Sequence, residues 1–168
     1  MKRLFQNSNI YLFFAFIIMA ILFYSSSQTY EQQSQLPFLE KYLSSQPFQT
    51  QLNGISFVYA GEQMSIQAQG YFKFVEFFIR KGAHLLTYFL LGGSWFLGLR
   101  PRINQLGLTG VVAWLSATGY AGLDEIHQMA TGGRTPLFQD IALDSIGALL
   151  AVLICWLLAG LRRGRGKG

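Results

Sequence analysis

Asp124, Glu125, His127, Gln128, Arg134, Asp140 and Asp144 crowd into GLDEIHQMATGGRTPLFQDIALDSIG, a stretch flanked by apolar sequence, and Lys81, His84 and Tyr88 lie in a second stretch, FIRKGAHLLTYFLLGG. Carboxylates beside imidazoles are the ingredients of general acid–base catalysis, and with lysine and arginine added they also make a pocket for a charged ligand. At helical spacing Asp124, His127 and Gln128 share a face, with Glu125 about a third of a turn away. Asp140 and Asp144 stand one turn apart on another helix. Lys81, His84, Tyr88, Gly92 and Trp95 form a third stripe.

The elements that hold these groups are hydrocarbon-spanning. Of the 168 residues 51% are hydrophobic and only 12% charged, with a mean hydropathy of +0.31, too apolar for a soluble domain of this length. Apolar segments at residues 10–24, 84–99, 106–123 and 141–161 approach the length that crosses about 30 Å of hydrocarbon, the first two needing a flanking turn. The fold class expected is an all-α integral membrane protein, a four-transmembrane-helix bundle with a small extracytoplasmic loop and β-hairpin inserted between helices 1 and 2. Residues 1–24 form the first anchor and 25–70 the loop. Residues 71–161 form a three-helix core, and RRGRGKG a basic tail that stops the last helix. The first segment starts like a signal peptide, but SSSQTY after Phe23 and Tyr24 is a poor cleavage site, so it reads as an uncleaved span.

Charge sets the orientation. Lys2, Arg3, Arg100, Arg102, Arg162, Arg163, Arg165 and Lys167 mark one side, with no Asp or Glu among them. That side is expected to be cytoplasmic, with both termini, and the protein to be multi-pass in the plasma membrane. The acids then gather outside. A net charge of +5 does not imply nucleic acid, because the basic residues sort by loop rather than into one stripe among exposed aromatics. Cys155 is the only cysteine and lies in an apolar run, so neither an intrachain disulfide nor a cysteine metal site is available. No P-loop, dinucleotide glycine motif or EF-hand pattern appears, and no cofactor is expected.

Within 25–70, SQLPFLEKYLSSQPF has the punctuation of a short helix with Leu36, Leu39, Tyr42 and Leu43 on one side. ISFVYAGEQMSIQA suits either a hairpin around Ala-Gly-Glu-Gln or an irregular loop. Glu76 and Arg80 are spaced to pair. Gly110, Ala113, Ala117 and Ala121, and likewise Asp140, Asp144, Gly147 and Ala151, make small-residue faces for close helix contact. The tryptophans read as packing and lipid-facing residues. The next helix is expected to begin near Pro136, which fits a first helical turn.

An Asp or Lys at the centre of a span costs about 2.5–3.5 kcal/mol, so Asp144, too short to snorkel, must be paired, protonated or beside water. One reading has Lys81 and Arg134 neutralise Asp124, Asp140 and Asp144 merely to pin helix ends. Another makes the group a ligand pocket of Lys81, Tyr88, Gln128, Arg134, Asp140 and Asp144. A third makes it catalytic, with His84 or His127 as base and Asp124 or Glu125 as carboxylate partner; no Ser or Cys is spaced against a histidine as a nucleophile. A metal held by His84, His127, Asp124 and Asp140 is a weaker variant, since DEIHQ is not HExxH. A proton path is disfavoured because residues 89–97 and 149–158 are apolar.

KGAHLLTY, DEIHQ, GGR and QDIALDSIGALLA, in this order, resemble the VanZ-like family of small bacterial membrane proteins over about residues 71–160. Lys81, His84, Tyr88, Asp124, Glu125, His127, Gln128, Arg134, Asp140, Asp144 and Gly147 match its pattern, while Thr87 stands where the family usually has an acid. The resemblance implies a place in the bacterial envelope. It also implies partners among membrane lipids, a lipid-linked cell-wall precursor or a glycopeptide and, for the namesake, resistance to teicoplanin.

Overall fold

The computed structural model describes residues 8–132 and 136–165, without the side chains of 132 and 162–165. Among the described residues four helices are long and apolar enough to cross a membrane. They are α1 (Ser8–Ser26), α6 (Tyr71–Leu99), α7 (Leu106–Gly132) and α8 (Phe138–Arg165). Between α1 and α6 lie the short helices α2 (Tyr30–Gln33), α3 (Leu36–Tyr42), α4 (Gln49–Leu52) and α5 (Ile66–Gln69), with strands β1 (Ser56–Tyr59) and β2 (Glu62–Ser65) before α5. The chain is thus a four-helix membrane bundle with a small two-stranded lobe between its first two spans.

The bundle is built inside out relative to a soluble protein. Ala113, Ala117 and Ala121 of α7 and Ala148 and Ala151 of α8 are buried, whereas Phe13, Phe16, Leu86, Leu90, Leu115, Leu153 and Leu157 stand outward. Lipid tails solvate large apolar groups as well as protein does, so tight helix contact is where small residues gain. A Cβ on Gly92 would lie 2.7 Å from the Ala148 carbonyl oxygen, and one on Gly147 only 2.4 Å from that of Leu85. Both small-residue faces therefore meet partners as the sequence anticipates. All four spans converge on Tyr88 and Leu91, which pack with Ala15, Leu22, Ala117, Ala121 and Ala148.

Three sequence expectations shift at element ends. The last helix runs through Gly160 to Arg165 instead of stopping at 161, since an interior glycine costs only about 1 kcal/mol and basic residues suit a helix C-terminus. The same helix starts at Phe138, two residues beyond Pro136. In α3, Leu39 is buried but Tyr42 points outward beside Phe38.

α6 is 29 residues, about 43 Å at 1.5 Å per residue. It outruns the hydrocarbon, and its first turns carry the lobe: Tyr71 and Phe74 pack with Ile66, Leu52 and Phe57. The hairpin alternative holds, with Ser56 opposite Ser65 and Tyr59 opposite Glu62. Ala60 and Gly61 both have positive φ, 53° and 85°, as a two-residue type I′ turn requires. Thr29 and Gln32 cap α2 reciprocally, the Thr-x-x-Gln signature satisfying two free helix donors. At the opposite end Arg102 donates to Ser8 Oγ (3.0 Å), to the Gly98 carbonyl (2.6 Å) and to Asn9, tying α1 to the loop before α7.

Candidate functional site

The lobe covers a cavity of about 670 Å³ at the hairpin end of the bundle. Its charged lining comes from every side: Lys73, Glu76, Arg80, Lys81 and His84 from α6, Glu62 from β2, Glu125 from α7 and Asp140 from α8.

Lys81 Nζ lies 2.5 Å from Asp140 Oδ1. Tyr59 Oη donates to the same Asp140 oxygen, and the ammonium sits 4.9 Å from the centre of the Tyr59 ring. This trio fastens the hairpin over the cavity. Burial, then the bond to Asp140 and the surrounding carboxylates, push the Tyr59 phenol well above the usual tyrosine range, so it remains a donor. One turn deeper, His84 Nδ1 is 3.4 Å from Asp144 Oδ2. The Asp144 side chain is 4% exposed and the His84 side chain 32%, so the imidazole separates a buried carboxylate from the cavity.

The other carboxylates do different work. Glu76, 1% exposed, accepts from Tyr30 Oη (2.8 Å), Ser34 Oγ (3.0 Å) and the Gln35 amide (2.5 Å), latching the start of the lobe to α6. Burial and the bond to Glu76 raise the Tyr30 phenol in turn. Arg80 acts on its sequence partner Glu76 through the field and not through a direct ion pair: its guanidinium covers the Tyr30 ring at 4.9 Å and donates to Gln33. Glu125 accepts the Leu137 amide at 3.0 Å and holds the entry to α8. Asp124 is buried and accepts from Gln128 at 3.3 Å.

Lys81, His84, Glu125, Gln128 and Asp140 thus share the cavity wall, with Asp144 directly behind His84. Tyr88 lies in the packed centre, its hydroxyl buried without a partner among the described residues. His127 does not join them. It stacks on Phe23 of α1 at 4.1 Å, and its Nδ1 meets Ser26 Oγ at 2.7 Å. A serine against a histidine therefore exists, contrary to the reading from spacing, because the fold pairs residues separated by 101 positions. Ser26 is only 3% exposed and does not line the cavity, so it is a helix contact and not an accessible nucleophile. Among the described residues no group of three or more His, Cys, Asp and Glu side chains is arranged to hold a metal ion. Arg134 lies outside the described residues.

Sequence reasoning missed Tyr59, Tyr30, Glu62 and Lys73, and gave Arg80 only a pairing role with Glu76. Tyr59 reaches Asp140 across 81 positions, and no local pattern encodes such a contact.

Four membrane-length helices with a charged cavity under a small lobe define a multi-pass membrane protein with an open cavity at one end of its bundle. The chain belongs to the family described as VanZ/LLP1, whose model matches residues 11–159 and so also takes in α1 and the lobe. No curated protein and no solved structure matches the chain.

Proposed function

We propose that the cavity binds the polar part of an envelope molecule at the outer face of a bacterial plasma membrane: a lipid headgroup, a lipid-linked glycan or cell-wall precursor, or a glycopeptide. Both termini are then cytoplasmic, and the VanZ resemblance extends the reading to protection against teicoplanin. The observation that carries it is the cavity itself, whose volume is that of a small-molecule site and whose wall holds charges of both signs. Lys73 is solvent-exposed on that wall, and Arg80 presents a planar donor fork suited to phosphate or carboxylate. Pinning of helix ends alone would need the ion pairs and not the open volume beside them.

The test uses full-length chain in native-lipid nanodiscs and in cells challenged with teicoplanin. Lys73→Ala with Arg80→Ala, and separately Asp140→Asn, should reduce lipid retained in native mass spectra by about tenfold or more, the equivalent of at least one lost charge-assisted bond. Loss of teicoplanin protection should accompany it. Unchanged retention and full protection in variants that insert normally would dispose of the reading.

A further inference from the structure

We infer that His84 and Asp144 form a general-base dyad that hydrolyses a phosphate ester of the lipid held in the cavity. This rests on the binding reading above and adds a reaction to it.

Three features point there. First, the imidazole is oriented: Nδ1 faces Asp144 at 3.4 Å, which leaves Nε2 as the nitrogen able to accept a proton, and no described residue takes it. Second, Asp144 has no lysine or arginine partner among the described residues, whereas its neighbour Asp140 is neutralised by Lys81. A carboxylate buried in a span and aimed at a histidine stabilises the imidazolium formed on proton transfer, as in other oriented acid–base pairs. Third, the dyad opens into the cavity that holds Lys73, Arg80 and Lys81, the groups that would bind phosphate oxygens and the charge developing on them. The other histidine lacks this setting, being stacked on Phe23 and bonded to Ser26.

The step balances without a redox partner. His84 Nε2 takes a proton from water as the water oxygen bonds to phosphorus. The bond from phosphorus to the leaving alcohol oxygen breaks, and that oxygen takes a proton from solvent admitted by the open cavity. The imidazolium returns its proton to solvent. His84 is the catalytic residue; Asp144 is a positioning residue acting through it.

The experiment places the full chain in vesicles of total bacterial polar lipid prepared in heavy-oxygen water, with products followed by phosphorus NMR and mass spectrometry. Wild type should release the heavy oxygen in a phosphomonoester from a diester lipid, or in inorganic phosphate from a monoester lipid. His84→Ala, a change at the cavity wall, should lose about a hundredfold or more in rate and regain part of it with added imidazole. Asp144→Asn should lower kcat with KM unchanged, a split that general loosening of the bundle would not give. No turnover by wild type, or full activity of His84→Ala, overturns the dyad. If native mass spectra of the same wild type still show retained lipid, the binding reading stands without it; if they show none, both fall.

Discussion

At the scale of single residues, partners decide the roles of chemically similar groups. Glu76 is a structural acceptor of three donors, Glu125 holds a loop amide, Asp140 is neutralised by Lys81, and Asp144 faces an imidazole. Tyr59 shows how one hydroxyl carries a domain-level contact. The folded state holds its phenolic proton more tightly than the unfolded chain does, because burial and Asp140 raise its pKa. The latch therefore contributes in full below the ordinary tyrosine range and fades as pH rises through the elevated value. Limited proteolysis of residues 54–70 should stay slow from neutral into mildly alkaline conditions and accelerate only beyond the ordinary tyrosine range. Tyr59→Phe, which removes a donor to a charged acceptor worth about 1.5–3 kcal/mol, should be cut faster throughout, without that pH step. Equal cleavage of the two proteins would mean the hairpin is held by Phe57 and Phe77 packing alone.

At the scale of elements, the α6–α8 crossing sets the site. Gly147 lets the Leu85 carbonyl approach, and this contact lies beside the turn that brings Asp144 to His84. Gly147→Ala would put a methyl 2.4 Å from that carbonyl oxygen, so one backbone must move. Such overpacking costs about 1–3 kcal/mol or more. The expected result is a lower melting temperature in detergent together with, on the proposed binding role, less lipid in native mass spectra than wild type. Gly119→Ala on α7, where an added Cβ meets nothing within 4 Å, should be neutral or slightly stabilising. Equal melting temperatures for both variants would show that the crossing is looser than the contact distances indicate.

At the scale of the whole molecule, the lobe and the basic loop lie at opposite ends of the spans, an arrangement that suits binding from one face. In a Cys155→Ser background, Thr50→Cys on the lobe should react with a membrane-impermeant maleimide in intact cells. Asn104→Cys, in the loop between α6 and α7, should react only after permeabilisation. Labelling of Asn104→Cys in intact cells would invert the topology and place the cavity in the cytoplasm.

The number of spans, their approximate limits and the small-residue faces were legible from sequence because hydrocarbon imposes a one-dimensional rule on length and apolarity, and helix periodicity then selects the face. Asp144, His84, Lys81 and Asp140 stood out for a related reason: charge within a span is costly enough to demand a partner. Which partner it finds depends on how four helices cross. Only the tertiary structure joined His84 to Asp144, sent His127 away to Ser26 and brought Tyr59 down onto Asp140, since these contacts link positions 60, 101 and 81 residues apart. The periodicity of one helix carries no information about the rotation of its neighbour. That rotation is set by where glycine and alanine allow two backbones to touch.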